Sequence, residues 1–479
     1  MILLAPASGR TNLKITLVGH AALLIEANGL RILSDPWWQG PCFGNQWWIY
    51  PKPHLGWLND RAVDYIYISH GHADHFHRGT LRRFPRGTKV LVAASFDLGA
   101  ALREMGFDVI EVGEGENHDL GSGVTCRIMP TYGGDSLMAI ADGKEVCINA
   151  NDALHAAPPD IQEKIAARLK RIYPRIDYVF CGYGIASHFP NCYVIPGKDR
   201  VRTAIERQRY FNRQWSRVIG LLRPRFGFPF AADVVLLEPD LFWANEPTHN
   251  TERPTDVFAS QNPDSATTVC DIAPGFSIAD GKIVSDIRFE PVRDQDVRRE
   301  YGDAIEKNIA RAERTEGDVQ ILREGVERNI AICRDYLREY AGDYRFLILI
   351  RDRPWALEIK KTGNDISVRV LDANAGGLGG YDISLTSYFS YLRRSFSTDY
   401  GNETLYVGSG CIIEYTDRRR IKENLHRELT MLIAKHDRPP KSRFGDQPKW
   451  LFLAKRFVNR ALGRVRPDLY DLSEWTYWA

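Results

Sequence analysis

Four histidines and one aspartate lie within residues 69–77, directly after an apolar run of tyrosine and isoleucine. The run predicts a buried strand that delivers the histidines to its C-terminal end, where function usually sits in open α/β sheets. His70 and His72 alternate, so both imidazoles can reach one metal ion, while adjacent Asp74 and His75 are placed for a second ion. Zinc, iron and manganese all accept imidazole together with carboxylate, so the metal stays open. The alternative is a surface histidine cluster or a satisfied polar turn.

The spacing His-x-His-x-Asp-His resembles the signature of the metallo-β-lactamase fold, and residues 13–36 resemble the first strands of that fold. This resemblance implies an α/β protein built as an αββα sandwich, followed here by a smaller α+β C-terminal domain. It also implies that His20 and Asp35 lie near the mouth of the metal site. His20 either lines that site or is a hydrogen-bonded structural histidine.

A further carboxylate stands at the end of the apolar stretch 145–152, which predicts a strand. The resemblance places an aspartate at this point, and a carboxylate offers two oxygens, so Asp152 is expected to bridge two metal ions. The alternative is an ordinary turn aspartate. Asp74 and Asp152 are therefore the predicted catalytic residues.

A narrower resemblance, collinear over most of residues 13–285, connects the chain to the metallo-β-lactamase-like part of the CMP-N-acetylneuraminate hydroxylase family. The matching residues include Asp35-Pro36-Trp37, Gly40-Pro41, Trp47-Trp48, Phe189-Pro190 and Pro274-Gly275. That family carries a Rieske domain, whose cluster needs a Cys-x-His and a Cys-x-x-His pair. Neither pair occurs in this sequence. We therefore expect no Rieske cluster and treat an external electron donor as a candidate partner.

Two positions depart from the ligand pattern that the resemblance implies. Asp135 stands near the position of the third histidine, and Glu238 is the candidate for the last one. His188 is a candidate replacement ligand, although a histidine outside the ligand set is the commoner case. A site richer in oxygen ligands favours iron or manganese over zinc. The expected cofactors are thus two divalent metal ions, with iron favoured.

Aromatic residues surround the metal loop in the sequence. An irregular segment rich in glycine and proline carries Trp37, Trp47 and Trp48, and Tyr132 lies close to Asp135. These four aromatic side chains are predicted to contact the substrate. The alternative for the tryptophans is that they cap the core.

Composition excludes several classes of partner. The 63 basic and 61 acidic residues give a net charge of +2, so no global field attracts nucleic acid or an anionic membrane. The eight cysteines contain no Cys-x-x-Cys pair, which suits reduced thiols in a cytoplasmic protein. No signal peptide is recognisable, and no apolar run approaches the length of about 18 residues that a membrane span needs.

The predicted organisation has four parts: a metal domain over 1–250, a connecting segment over 251–290, an α+β domain over 291–440 and a helical tail over 441–479. An apolar stripe at helical spacing begins at Val319, and three apolar runs after it predict a meander of strands. Helices are predicted over 381–394 and over the amphipathic stretch 450–465. The latter suits a packed terminal helix better than a membrane-surface helix.

Together these observations favour an iron-dependent oxygenase or hydroxylase acting on a small polar metabolite, for which the resemblance implies a sugar or nucleotide-linked compound. The alternative is a zinc or manganese hydrolase of an ester, amide, lactone or phosphodiester. A third class, a binding or scaffold protein without chemistry, is disfavoured by the joint presence of five ligand candidates: His70, His72, Asp74, His75 and Asp152.

Overall fold

The structure is a computed structural model that describes residues 13–439 except for 60–61, 185–188, 233, 314–315, 339–341, 377, 399–400, 418–419 and 421–424. The prediction for His188 and those for the tail 441–479, with its stretch 450–465, lie outside the described residues.

The strands described before residue 290 are short and mostly buried: β1 (Lys14–Gly19), β2 (Ala22–Ala27), β3 (Leu30–Ser34), β4 (Trp47–Ile49), β5 (Tyr65–Tyr67), β6 (Lys89–Ala93), β7 (Asp108–Val112), β8 (His118–Gly121), β9 (Val124–Pro130), β10 (Ser136–Ala141), β11 (Val146–Asn151), β12 (Tyr178–Gly182), β13 (Tyr193–Val194), β14 (Phe226–Phe230), β15 (Val234–Leu236), β16 (Thr268–Val269), β17 (Ser277–Ala279) and β18 (Lys282–Ser285). The helices of the same part are α1 (Arg78–Leu81), α2 (Gly99–Glu104), α3 (Pro159–Ile172), α4 (Arg200–Leu222), α5 (Asn245–His249) and α6 (Pro254–Gln261).

The C-terminal part alternates helices with longer strands: α7 (Asp294–Glu313), α8 (Val319–Arg338), β19 (Tyr344–Ile350), β20 (Trp355–Thr362), β21 (Asp365–Asp372), β22 (Ile383–Ser387), α9 (Phe389–Ser397), β23 (Ile412–Tyr415) and α10 (Leu425–Ile433).

Two sheets form the N-terminal domain. The first has the strand order β18-β17-β1-β2-β3-β5-β6-β7, and the second has the order β16-β14-β12-β11-β10-β9-β8. One apolar core joins both sheets, because each contributes buried side chains such as Ile25 and Phe180 to it. Helices α1 and α2 pack on the outer face of the first sheet, and α3, α4 and α6 pack on that of the second. The predicted αββα sandwich is confirmed.

Parallel pairing brings several strand ends to one edge. Strands β3, β5 and β6 are parallel in the first sheet, and β11, β12 and β14 are parallel in the second. All three residues of β5 are buried, so this short strand is held on both faces while its C-terminal end leaves the sheet. The loops that follow β3, β5 and β11 therefore meet at one edge.

The segment 251–290, predicted as a connection, instead completes both sheets. Strand β16 pairs with β14, and β17 pairs with β1 in the first sheet. Its buried anchors are Phe276 and Ile278, whereas β18 is an exposed edge strand. The metal domain thus extends to about residue 290, because its first sheet is completed from this segment.

The C-terminal domain is built on a third sheet with the order β13-β23-β22-β19-β20-β21. Its antiparallel strands β19, β20 and β21 are the predicted meander, and α8 buries the predicted apolar stripe from Val319 to Leu337. The helix predicted over 381–394 is wrong in its first half. There β22 pairs in parallel with β19, and α9 begins only at Phe389. Tertiary strand pairing overrides the local preference of this segment.

The two domains share one apolar core. Trp37, Cys42, Phe43 and Trp47, from the segment between β3 and β5, belong to the same buried cluster as the C-terminal sheet and its helices. Strand β13, from the metal domain's part of the sequence, is also an edge strand of the third sheet. The C-terminal domain is therefore packed directly against the side of the metal domain that carries the tryptophans.

Within the described part of the chain, no helix combines the length and the apolar character that crossing a membrane requires.

Candidate metal centre

The outer part of the histidine cluster is formed by buried His70 and half-buried His72. Nε2 of His70 lies 2.9 Å from Nδ1 of His72, so two ring nitrogens converge on one point. Burial, together with neighbouring His75, lowers the pKa of His70 well below its usual value, and burial also lowers that of His72. Both rings are thus held neutral, which is the form that binds a metal ion.

Asp135 joins this pair from the start of β10. Its Oδ1 atom lies 3.6 Å from Nδ1 of His70, and its side chain is 18% exposed. Burial raises the pKa of Asp135 to about 7, and the charge of Asp152 adds to the effect. The structure thus brings the predicted carboxylate to the cluster at the position where the sequence lacks a histidine.

The deeper part of the cluster is built by Asp74, His75 and Asp152. Nε2 of His75 lies 3.4 Å from Oδ2 of Asp74 and 3.4 Å from Oδ2 of Asp152. Burial alone would lower the pKa of His75, but the charges of Asp74, Asp35 and Asp152 together raise it well above its usual value. Burial alone would likewise raise the pKa values of Asp74 and Asp152, but the charge of His75 lowers both. Opposite charges are therefore held together, with Asp74 and His75 buried and Asp152 partly exposed.

Asp35 and Ser69 orient the imidazoles from behind. Asp35, at the end of β3, accepts hydrogen bonds from the backbone nitrogen and the hydroxyl of Ser69, both at 2.8 Å. Its Oδ2 also lies 3.0 Å from Nδ1 of His75, and the Ser69 hydroxyl lies 3.0 Å from Nδ1 of His70. Such contacts leave the far nitrogen of each ring free to face a metal ion.

The residues present fit a pair of metal ions. Among the described residues, two groups place their ligand atoms within 4.8 Å of one another: His70 with His75 and Asp152, and His20 with Asp74 and His75. Oδ1 of Asp74 and Nε2 of His75 are buried and make no hydrogen bond within the described part of the chain. Buried polar atoms without a partner are costly unless something else, such as a cation, satisfies them.

His20 is the residue whose role the sequence left open. It follows β1, is 2% exposed, and its Nε2 atom lies 3.1 Å from Oδ2 of Asp74. The sequence signal for its position is the resemblance, which implies that His20 lies near the mouth of the metal site. Nothing in the local sequence specifies its contact with Asp74.

Glu238 is not brought to the cluster. Strand β15 leaves the site to pair with β4, and the Glu238 carboxylate, two residues later, lies 3.1 Å from Nη1 of Arg351 in the C-terminal domain. Burial raises the pKa of Glu238 to about 7, although Arg351 opposes this shift. The predicted ligand is therefore the partner of an arginine at the contact between the domains.

The predicted aromatic contacts divide into two kinds. Trp37 has no exposed surface, lies edge-on to His20 with 5.3 Å between ring centres, and cannot touch a substrate in this conformation. Trp48 packs on Tyr301 of α7. Tyr132, in contrast, is 54% exposed in the loop that carries Asp135. Of these three, Tyr132 is the one placed to meet a substrate.

Trp47 lines a cavity of about 90 Å³ between the domains, together with Arg207 of α4, Gly184 and Ser409. The carbonyl oxygen of Gly184 lies 2.5 Å from Nε2 of His155. Burial lowers the pKa of His155, and the charge of Asp152 opposes this shift. The cavity is smaller than the about 300–1,000 Å³ of typical ligand pockets. It does not hold a nucleotide sugar in this conformation.

Residues 14–155 match the family model described as the beta-lactamase superfamily domain. This range carries the described cluster from His20 to Asp152. The part of the chain that carries the cluster is thus similar to domains of that superfamily.

Two curated relatives each match part of this chain and part of their own length. A protein of Mycobacterium tuberculosis (strain H37Rv), by its provisional name a Rieske 2Fe-2S iron-sulfur protein, is 29% identical over 264 residues, which are 52% of this chain and 49% of that protein. The cytidine monophosphate-N-acetylneuraminic acid hydroxylase of Asterias rubens is 42% identical over 69 residues, 14% of this chain and 11% of that protein. The chain spans about half the length of the first of these relatives.

Among solved structures, CmlA, a diiron β-hydroxylase from Streptomyces venezuelae, is 20% identical, with 57% of this chain and 55% of that chain covered and a TM-score of 0.38. Igni18, a metallo hydrolase from Ignicoccus hospitalis, is 18% identical, with 56% and 98% covered and a TM-score of 0.37.

Proposed function

We propose that this protein is an iron-dependent oxygenase with two metal ions, which hydroxylates a small polar metabolite such as a sugar or nucleotide-linked compound. The observation that carries the proposal is the mixed donor set at one sheet edge, in which the carboxylates of Asp74, Asp135 and Asp152 accompany the imidazoles. Oxygen and nitrogen donors in similar number suit iron or manganese better than a histidine-rich set does. The partial similarity to the relative from Asterias rubens, which is named a hydroxylase, supports the same reaction class.

The chain's own residues have separate tasks in this reaction. His70, His72, Asp135 and Asp152 would hold one ion, while Asp74 and His75 would hold the other with Asp152 between them. When bound, the metal pair supplies the redox chemistry that the side chains lack. Asp35 and Ser69 fix the rings in place. The substrate would approach from the opposite, more exposed side, where the loop of Tyr132 lies.

The balanced reaction is R–H + O₂ + 2 e⁻ + 2 H⁺ → R–OH + H₂O. One oxygen atom enters the new C–O bond and the other leaves as water. These 479 residues contain neither cysteine–histidine pair of a Rieske cluster. The two electrons are therefore assigned to an external donor protein or a reduced cofactor.

The test is the identity of the metal and its reaction with dioxygen. Protein is purified without chelators from cells supplied with iron, zinc or manganese, its metal content is measured, and the reduced iron form is mixed with dioxygen while absorbance is followed. Two iron ions per chain and an absorbance transient that depends on dioxygen are expected. Tightly held zinc, with no reaction of the iron-loaded form, would contradict the oxygenase.

A matched pair of variants tests the role of the carboxylate. Asp135→His replaces the oxygen donor by nitrogen and should raise the affinity for zinc relative to iron by about tenfold, which is about 1.4 kcal/mol. Tyr132→His adds a histidine to the same loop without changing the donor set and should leave the preference as in the wild type. An equal shift in both variants would show that Asp135 is not a ligand.

The second candidate is a zinc or manganese hydrolase of an ester, amide, lactone or phosphodiester. The observation in its favour is that these 479 residues contain neither cysteine–histidine pair of a Rieske cluster, whereas hydrolysis needs no electrons. The same site would then supply activated water when its metals are bound. Turnover of ester or phosphodiester panels by the zinc form, without oxygen consumption, would favour this candidate.

A further inference from the structure

We propose that His20 is a ligand of the metal ion held by Asp74 and His75, so that this ion is bound by residues from the β1–β2 turn as well as from the metal loop. The inference rests on the two-metal site proposed above. It extends that site to a residue 54 positions before Asp74 in the sequence.

The geometry of the three side chains carries the proposal. Nε2 of His20 lies 3.1 Å from Oδ2 of Asp74, and Nε2 of His75 lies 3.4 Å from the same oxygen. These ligand atoms lie within 4.8 Å of one another, which is the spacing of donors around one small cation. All three residues are at most 2% exposed, so no bulk water is available to complete the coordination.

Two atoms of Asp74 and His75 lack a hydrogen bond in the described part of the chain, and one of them, Nε2 of His75, lies at the ion-pair distance of 3.4 Å from both Asp74 and Asp152. Oδ1 of Asp74 and Nε2 of His75 are buried without a hydrogen bond among the described residues. A cation between the three side chains would satisfy these atoms together, whereas the contact from His20 to Asp74 leaves both of them unpaired.

The backbone holds His20 at this position. His20 adopts a left-handed conformation with φ +47°, which is uncommon for a residue other than glycine. Its carbonyl accepts a hydrogen bond of 3.2 Å from the backbone nitrogen of Ala231, at the end of β14, and its ring lies edge-on to buried Trp37. The imidazole is thus fixed before a metal ion arrives, as ligand residues generally are.

His75 is shared between the two candidate groups, but one ring nitrogen binds one ion. Because Nε2 of His70 and Nδ1 of His72 already converge at 2.9 Å, these two serve the first ion, and His75 is available to the second. With His20, each ion would then have two imidazoles and one carboxylate of its own, Asp135 or Asp74, while Asp152 would be available to both.

The competing role for His20 is structural. Its Nε2 would then donate a hydrogen bond to Asp74, and Nδ1, which has no partner among the described residues, would be the unprotonated nitrogen. Glutamine distinguishes the two roles, because its amide can donate to Asp74 but is a poor ligand for a transition metal.

The experiment measures bound metal in wild type, His20→Ala, His20→Gln and the control His77→Asn, after dialysis against graded chelator. His77 is a buried histidine of the same loop that also packs against Trp37 and caps α1 through Thr80, a role that asparagine can take. Thermal unfolding of each variant accompanies the measurement. We expect two ions per chain in wild type and control, and one ion in both His20 variants, with the second held at least about tenfold more weakly.

Two bound ions of unchanged affinity in His20→Gln would overturn the proposal. If both His20 variants unfold, a crystal structure of the zinc-loaded wild type decides, since a ligand nitrogen lies about 2.0–2.1 Å from the ion. A wild type that holds fewer than two ions would instead overturn the two-metal function itself. A wild type that holds two zinc ions and hydrolyses esters would overturn only the oxygenase.

Discussion

The two sides of the metal centre differ in burial and in what holds them. The exposed side consists of Tyr132, Asp135, His72 and Asp152, of which Tyr132 is 54% exposed and Asp152 21% exposed. The buried side consists of His20, Asp35, Asp74 and His75, all at most 2% exposed. In the proposed function the exposed side would admit the substrate, and the buried side would fix the geometry.

The C-terminal domain packs close to the buried side of the centre. Its turn Gly401–Thr404 packs on the segment between β3 and β5. The approach is so close that a Cβ at Gly44 would lie 2.6 Å from Cγ2 of Thr404. Burial raises the pKa of Glu403 to about 7, and the charge of Asp74 adds to the shift. The second domain thus contributes to the electrostatics of the metal centre as well as to its packing.

The largest effect is expected from Asp35→Asn on the buried side. The variant removes the negative charge that pairs with His75 and one of the acceptors for Ser69, so the free energy of unfolding should fall by about 3–5 kcal/mol. Metal binding should fall with it, because His75 loses its orienting contact. Urea unfolding and metal content measure the two effects.

A surface pair serves as the control for Asp35. Glu111→Gln breaks the ion pair with Arg103, whose side chains are 37% and 53% exposed, and should cost about 0–1 kcal/mol without loss of metal. If Asp35→Asn were as mild as Glu111→Gln, the buried side would not fix the geometry of the site.

A smaller effect is expected from His72→Ala on the exposed side. One metal ion should be lost while the second stays, because His72 pairs with His70, whereas Asp74 and His75 are assigned to the second ion. The metal-free fold should change by less than about 1 kcal/mol, since His72 is only half-buried. Loss of both ions from a folded variant would show that the two sides are not separable.

The parts of this centre that the sequence predicts are those whose residues are neighbours in the chain. His70, His72, Asp74 and His75 occupy one loop, and the preceding strand fixes the end of the sheet on which they stand. Likewise, the meander of β19, β20 and β21 is predicted because its runs follow one another with short turns. Local pattern is sufficient in these cases.

The parts that it does not predict depend on distant partners. The contact of His20 with Asp74 spans 54 residues, and the contact of Glu238 with Arg351, which the prediction of Glu238 as a ligand did not foresee, spans 113. Strand β18 escapes detection because it is an exposed edge with no alternation of burial. In each case the sheet arrangement, rather than the local sequence, decides the role.

The smallest effect on metal is expected from Glu238→Gln, which lies on neither side of the centre. Both ions should stay bound. The pKa of Glu238 is raised from 4.5 to about 7 in the folded protein, mainly by burial, so the folded state binds this proton more tightly between these values. Its contribution to the free energy of unfolding is therefore fully present below about pH 4.5 and is lost as pH rises through about 7.

Glu238→Gln removes this dependence, so the difference in free energy of unfolding between wild type and variant should fall with pH across that window, by no more than about 1.4 kcal/mol per pH unit. Urea unfolding from pH 4.5 to 8 measures the slope. Asp240→Asn is the control, because Asp240 contacts the same Arg351 but is 47% exposed. An equal slope in both variants would show that the proton is shared by the group of Glu238, Asp240 and Arg351. Loss of a metal ion in Glu238→Gln alone would show that Glu238 is a metal ligand after all.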